Sequence, residues 1–558
     1  MKALPITEWL PHYPRTNLRG DVIAGIALAG LLIPEAMGYA GIAGLPPQAG
    51  LYATAFGLLA YAVFGSSRQL AVSPTSASAA ILAATVAPLA AENAGKFVVL
   101  AAAVSLVVGL LFLLAGILKL GFISDFISKP VLKGFVFGIA LTIVIKQLPK
   151  LMGIEKGTGP SYMQLWHTLT HVAQSNLWTL LTAAAALAVL FLVDSFFPRI
   201  PGALLVLVAG IAISRIFQLH SHGVDIVGVI PAGLPYPHFP VLTWSDWLQA
   251  APAAIGLSLV LYAESLGAAR NFAGKNGYDI DPNQELRALA VANATSAIFH
   301  GMIVGGGTSG TAANDSNGAQ SQVSSIAASL MVMVTLLFLT GWFYHLPEAV
   351  LGAIVVHAVW HLLDFRELRR FRRIRRIEYR EALAAIVGVI AFGILNGLLL
   401  AVILTLVALM RYLSESHVAV LGRLQGTREY VDVARHPEAE QFPGILMLRI
   451  ERMLFFANAD GIRQIIRNLV AQATPPPKVL ILNCELIPVL DVTAIDVLQQ
   501  MLASATERHI RLVLAGVRDP VRDRLVKASL LSAIGEENIF RSVDHAVDAL
   551  TDNANAGG

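Results

Sequence analysis

The sequence predicts a polytopic α-helical membrane protein with fourteen membrane segments and a small soluble α/β domain at its C-terminal end. Three observations carry that expectation. Of 558 residues, 56% are hydrophobic and 14% charged, whereas an ordinary soluble domain carries about 25% charged residues. The mean hydropathy is +0.65. Charge is also unevenly spread: 45 of the first 419 residues are Lys, Arg, Asp or Glu, against 32 of the last 139. The formal net charge of +3 is small for this length and argues against a nucleic-acid binder. Cys484 is the single cysteine, which excludes an internal disulfide and a cysteine-based metal cluster.

The segments follow in chain order. The N-terminal stretch holds Pro5, Glu8, Pro11 and Pro14 and makes a poor signal-peptide core, so the first apolar run should stay in the mature protein. A membrane helix needs roughly 20 apolar residues. Long runs stand at 97–118, 131–149, 178–197, 248–268, 323–343 and 346–363. Shorter ones stand at 49–64, 202–218, 286–300, 382–395 and 397–413. The last two are separated by Asn396-Gly397, a turn signal, and form an antiparallel hairpin. Residues 20–44 are expected to break around Pro34-Glu35, and 70–90 opens with the polar run Ser73-Pro74-Thr75-Ser76. Residues 303–318 are rich in Gly, Ser and Thr.

Positive charge sets the orientation. Arg15 and Arg19 precede the first span, Lys119, Lys129 and Lys133 lie between the fourth and fifth, and Arg199 follows the sixth. Arg270 and Lys275 follow the eighth, and eight arginines crowd 366–380 after the twelfth. An even number of spans then puts both termini and the soluble domain on the cytoplasmic side of the plasma (inner) membrane. The arginine cluster is a topology determinant lying against anionic lipid headgroups.

The third and tenth segments occupy comparable places in two halves of the chain. Irregular backbone inside a membrane is tolerated where it lines a protein cavity, and paired interrupted segments point to a mid-membrane site. Their helix N-termini, facing each other, offer an anion unpaired N–H groups and about half a positive charge each. Ser73, Thr75, Ser76, Thr308 and Ser309 add hydroxyl donors, and Gly305-Gly306-Gly307 lets backbone approach a ligand. Two carboxylates stand out. Glu35 follows Pro34, and Glu264 sits inside the apolar stretch 256–269 without a basic partner on its own helix. Intramembrane carboxylates mark ion or proton paths, so Glu264 is a candidate protonatable or cation-binding group beside the anion. Asp194, at a span end, is expected to be an interfacial charge. His220, His222 and His238 fall in an expected external loop without metal-ligand spacing, and Gly305–Thr308 lacks the Gly-Lys-Ser/Thr of a phosphate loop. No catalytic constellation is visible, so no enzyme activity, cofactor or resident metal is expected.

The run PEAMGYAGIAGLPPQAGLYA at 34–53 closely resembles the signature of the sulfate permease family, the solute carrier 26 anion transporters. The likeness extends through WLPHYPRTNLRGDVIAGI, GSSRQLAVSPTSA, Glu264-Ser265-Leu266 and GMIVGGGTSGTAANDSNGA, and the C-terminal domain resembles a STAS domain. The resemblance implies a 7+7 inverted repeat. A core of spans 1–4 and 8–11 would move as an elevator against a gate of spans 5–7 and 12–14. It divides the chain into an N-terminal segment (1–19), a transport domain (20–415), a STAS domain (420–550) and a disordered tail (551–558). By motif position Glu35, Tyr39, Thr75, Ser76, Gly306, Gly307, Thr308 and Ser309 would bind the anion, with Glu264 as coupling group. A sodium-dependent bicarbonate member has Asp at the position of Glu264 and a cation-binding Thr where Ala268 stands, so proton coupling is expected over sodium. Many members carry Arg where this chain has Gly310, and its loss argues against simple chloride-type exchange. The implied assembly is a homodimer in the lipid bilayer carrying sulfate, bicarbonate or a dicarboxylate. Alternatives are sodium-coupled bicarbonate uptake, anion exchange, a nucleobase carrier, or an anion sensor signalling through the tail to a cytoplasmic protein.

In the tail, strands are expected at 444–456, 478–484 and 510–516, alternating with helices near 459–473, 492–507 and 520–533. Asp491 or Thr493 would cap the second of these helices. Thr493 also stands where soluble STAS relatives carry a phospho-acceptor, which makes it a candidate regulatory residue.

Overall fold

The computed structural model describes residues 4–90, 93–122, 128–197 and 201–555; Pro198 and Arg199 lie outside them. Each of the fourteen expected stretches contains a helix. In order these are α1 (Leu18–Ala43), α2 (Pro47–Phe64), strand β1 (Val72–Ser73) with α3 (Ser76–Ala90), α4 (Ala94–Ile117), α5 (Lys129–Met152), α6 (Leu177–Phe196) and α7 (Gly202–Ile216). There follow α8 (Trp244–Lys275), α9 (Pro282–Ile298), strand β2 (Gly305–Gly306) with α10 (Thr308–Ser316), α11 (Val323–Val334), α12 (Glu348–Trp360), α13 (Arg376–Phe392) and α14 (Ile394–Ser414). Among the described residues, six helices are long and apolar enough to cross a membrane by length and composition, or seven when α8, bent by 45° near Pro252, is included. Among the rest, α3 and α10 are short because each begins part-way along its segment, after an extended stretch, and α9 is polar because it is packed inside the protein.

Two packing groups result. Helices α1–α4 and α8–α11 pack on one another, as do α5, α6, α7, α12 and α13. The groups meet where α1 lies against α7 and α12, and α3 against α5. Buried carboxylates fix the first group. Asp21 accepts from Tyr13 Oη (2.7 Å), Ser321 Oγ (2.7 Å) and Gln320 N (2.6 Å). Glu285, at the start of α9, accepts from Tyr61 Oη (2.7 Å) and from both the amide and the hydroxyl of Ser66. Each ties a helix start to a loop flanking a short helix from the opposite half.

Two expected boundaries differ. Helix α1 does not break at Pro34-Glu35 but runs unbroken from Leu18 to Ala43 with Pro34 inside it. The proline ring crowds the carbonyl four residues earlier; here that residue is Gly30, which presents no side chain of its own. The turn expected at Asn396-Gly397 falls instead at Gly393, whose φ of +85° only glycine adopts readily. Gly397 is helical and serves close packing: a Cβ there would come within 2.7 Å of the Val389 Cα. Asn396 caps the end of α13 by donating to the Phe392 carbonyl (3.1 Å).

The described residues from Leu406 onward form a separate compact unit; 556–558 lie outside them. Its sheet has the order β4-β3-β5-β6-β7-β8, built from β3 (Val418–Arg423), β4 (Tyr430–Asp432), β5 (Ile445–Ile450), β6 (Val479–Asn483), β7 (Arg511–Ala515) and β8 (Ile539–Phe540). Strands β5 to β8 are parallel, and β3 is antiparallel to both neighbours. The domain begins with β3 at 418, and β5 ends at 450, earlier than the expected 456. Helices α15 (Ala459–Gln472), α16 (Val492–Glu507), α17 (Asp519–Lys527) and α18 (Leu530–Ile534) cover the sheet, and α19 (Val543–Asn555) closes it. The tail expected to be disordered is therefore helical as far as Asn555.

Cys484 follows β6 and is buried, and burial pushes its thiol up to about 12. At pH 7 roughly 10⁻⁵ of it is thiolate, the reactive form. Maleimide labelling of the native chain should therefore be negligible, rising to one label per chain on denaturation; equal rates in both states would contradict the burial.

Candidate functional site

The site is built on the shortest sheet in the molecule. Strands β1 and β2 pair antiparallel with only two partners each, Val72 with Gly306 and Ser73 with Gly305. Because the strands run in opposite directions, α3 and α10 leave this crossover in opposite directions, with their N-terminal ends beside it. Gly307 and Thr75 are neighbours: a Cβ on Gly307 would lie 3.5 Å from the Thr75 methyl. The first helical backbone bonds are Ala79 N to Thr75 O and Thr311 N to Gly307 O. The amides of Ser76, Ala77, Thr308, Ser309 and Gly310 thus lie ahead of any intrahelical partner.

Glycine at 305 and 306 is a steric requirement. A Cβ on Gly305 would overlap the Leu261 side chain, and one on Gly306 would come within 2.7 Å of Leu70 Cδ1. The backbone polar groups here are satisfied by buried side chains. Asn293 donates to the Val304 carbonyl (2.9 Å) and accepts from the Val304 amide (3.0 Å). Ser265 accepts from Gly306 N (2.8 Å) while donating to the Leu261 carbonyl. Thr311 Oγ1 accepts from Ala71 N and donates to Gly307 O. Gln322 donates to the carbonyls of Ser67 and Leu70, and Asn314 to that of Gln69. No motif marks these amides in the sequence; the available signal is the presence of Asn and Gln in membrane-spanning segments.

The expected site residues converge here. Thr75 Oγ1 lies 3.3 Å from Glu264 Oε2 and also meets Ser78 Oγ at 3.1 Å. Tyr39 lies one turn beyond Glu35 on α1, and both are buried. Glu35, Tyr39, Thr75 and Ser76 are buried, Glu264 is partly buried, and Thr308 and Ser309 are exposed. The end of α3 is thus enclosed, whereas that of α10 is open. Among the described residues no ion pair to Lys or Arg joins Glu35 or Glu264. Glu35 lies on the unbroken helix α1, so it has no broken backbone of its own to cap.

Gly310 faces hydrocarbon. A Cβ there would meet Leu32 Cδ2 at 3.2 Å, Ala71 Cβ at 3.4 Å and Leu28 Cδ1 at 3.8 Å. Basic charge collects elsewhere. Lys146, Lys150 and Lys156 line a cavity of about 100 Å³ with Gly41, Ala80 and Gln147. Gly41 lies two residues beyond Tyr39 and Ala80 one turn beyond Ser76, so the cavity adjoins the crossover. Lys150 pairs with Glu348 at 2.9 Å. Burial, with the Lys150 charge adding to it, holds Lys156 below the ordinary lysine range.

Residues 18–386 match the model of the sulfate permease family. The chain belongs to the sulfate permease family. Residues 436–546 match the STAS domain, so the C-terminal unit is of that kind. The chain is 37% identical over 538 residues to a probable sulfate transporter of Mycobacterium tuberculosis, covering 96% of each. It is 30% identical over 575 residues to sulfate transporter 1.3 of Arabidopsis thaliana, covering 98% of this chain and 87% of that one. Its fold matches murine solute carrier 26 member A9, an anion transporter solved facing inward, with a TM-score of 0.90 over 98% of this chain and 94% of that one at 23% identity. The transmembrane domain of the cyanobacterial bicarbonate transporter BicA matches with a TM-score of 0.61 at 24% identity, over 70% of this chain and 98% of that one. A sulfate permease with a C-terminal STAS domain is a membrane protein, and its relatives are transporters.

In the STAS domain the cap of α16 is Asp491, whose carboxylate accepts from Ala494 N (2.8 Å) and Phe456 N (2.8 Å). Thr493 is exposed one residue inside the helix.

Replacing Asn293 by Leu would leave the Val304 amide and carbonyl buried without partners, at about 1–3 kcal/mol for each. The variant should unfold several degrees lower in detergent, while Asn317→Ala, at an exposed site, should not. Equal melting of N293L and wild type would show that the brace is not needed.

Proposed function

We propose that this permease is a secondary active transporter of a small oxyanion, sulfate first, which binds between the N-terminal ends of α3 and α10. The carrying observation is the two-residue crossover that sets those ends beside one shared space, with Thr75 and Glu264 in contact there. Facing helix ends stabilise an anion through amide donors and aligned dipoles without a basic side chain. Thr75, Ser76, Thr308 and Ser309 would donate to the anion, Gly306 and Gly307, whose amides are held by Ser265 and Ala71, would let it approach the backbone closely, and Glu35 and Tyr39 would close the α1 side. The three lysines of the adjoining cavity would draw anions toward the site. The relatives' sulfate-transporter names favour sulfate over bicarbonate or a dicarboxylate.

Coupling runs through Glu264 in this reading. An anionic carboxylate beside a bound dianion is repelled, so the two bind together only when Glu264 is protonated. Proton and anion would therefore cross together, which is symport. The packing of α1–α4 and α8–α11 on one another, beside α5–α7, α12 and α13, supports an elevator in which the first group carries the anion. The arginines of 366–380 support a cytoplasmic STAS domain; the chain would act as a homodimer at the plasma membrane. Thr493 is an accessible candidate for modification or for a cytoplasmic partner.

Uptake of labelled sulfate into proteoliposomes should rise when the outside is made acidic and be indifferent to sodium. Glu264→Gln should lose the response to the pH gradient. Thr75→Val removes a hydroxyl donor from the proposed site; a hydrogen bond to a charged anion is worth about 1.5–3 kcal/mol, so KM should rise about tenfold or more. Gradient-independent uptake with a normally active E264Q would overturn proton coupling; binding without flux would favour the sensor reading.

A further inference from the structure

Away from the crossover, the C-terminal ends of α6 and α12 bring three metal-ligating side chains together. Asp194 lies on α6, His357 on the last turn of α12, and His361 directly after it. One ligand atom from each lies within 4.8 Å of the other two. Asp194 Oδ2 is 3.3 Å from His361 Nε2 and 3.6 Å from His357 Nε2. We propose that Asp194, His357 and His361 form a binding site for a divalent transition-metal ion of the zinc class.

The distances carry the argument. N–H···O hydrogen bonds in proteins run at about 2.7–3.2 Å, and both separations are longer. Two ligand atoms bound to one tetrahedral metal at about 2.0–2.2 Å stand about 3.3–3.6 Å apart, which is the spacing found. Two histidines four residues apart project from one helix face, the arrangement by which a helix offers two imidazoles to one ion. His357 Nε2 is buried and has no hydrogen-bond partner among the described residues, so a metal would satisfy an otherwise orphaned atom. Two imidazoles and one carboxylate suit zinc-like ions. Three protein ligands leave a fourth position, and the exposure of His361 (62%) and Asp194 (47%) leaves it open to water or another small ligand.

The surroundings are consistent with a built site. The Phe191 ring meets the His357 ring edge-on at 5.0 Å and the Trp360 ring at 5.8 Å, which walls the inner side with hydrocarbon. Because α6 and α12 pack together, a bound ion would clamp the two within the group of helices that faces the carrier body.

Cobalt(II) titrated into the purified full-length chain tests this directly, since tetrahedral cobalt absorbs strongly in the visible. The expected result is a band that saturates near one equivalent, is displaced by zinc, and is weakened at least about tenfold in Asp194→Asn and His361→Ala. His167→Ala, at another pair of histidines four residues apart, should leave it unchanged. His361 is largely exposed, so its variant should fold. A wild-type chain without the band, or a band unaltered in D194N and H361A, would overturn the proposal. The assay reads no transport, so it stands or falls independently of the anion and its coupling.

Discussion

The architecture depends on a two-rung ladder, Val72 with Gly306 and Ser73 with Gly305. Backbone that is neither helical nor part of a closed barrel is costly at membrane depth unless its polar groups find partners inside the protein. Here the two extended pieces partner each other, and Asn293, Ser265, Thr311, Gln322 and Asn314 take up the remaining amides and carbonyls. That arrangement fixes where two helices begin and in which directions they leave. The surrounding helices serve it: α8 brings Ser265 and Leu261 against the glycines, α9 brings Asn293, and the carboxylates of Asp21 and Glu285 hold the flanking loops.

In the proposed anion site, the positive potential would come from backbone instead of a fixed basic side chain. At Gly310 the space is bounded by Leu28, Leu32 and Ala71. Positive side chains, those of Lys146, Lys150 and Lys156, line a cavity that Ala80, one helical turn beyond Ser76, also lines. Beside the crossover stands a carboxylate, Glu264, against Thr75. A site of helix ends plus carboxylates has a net charge set by protonation, whereas an arginine site has a permanent one.

Most of the helix inventory was legible from hydropathy, because membrane thickness imposes a length on every apolar run. The short third and tenth helices were legible for the opposite reason: Pro, Gly, Ser and Thr interrupt hydrocarbon where lipid would reject them. Local signals failed where tertiary packing decided between two nearby choices. Pro34 bends into a continuous helix, and the turn expected at Asn396-Gly397 is made by Gly393, since Gly397 is required for contact with Val389. Asp194 read as a lone interfacial charge because its partners, His357 and His361, are more than 160 residues away in sequence. The side-chain amides that brace the crossover were overlooked for the same reason, since a buried Asn announces a need for partners but not their address.

The sequence by itself determined a membrane body of fourteen helical segments, a soluble α/β tail, a pair of interrupted segments, and the residue types gathered there. These follow from hydrophobic length, charge density and the backbone demands of Gly and Pro, all local properties of the chain. Only the tertiary structure decided which residue of β1 faces which of β2, that Thr75 meets Glu264, that lysines and not an arginine supply the nearby charge, and that two histidines close on one aspartate. Those are contacts between segments far apart in the chain, and their distances are set by how the helices pack.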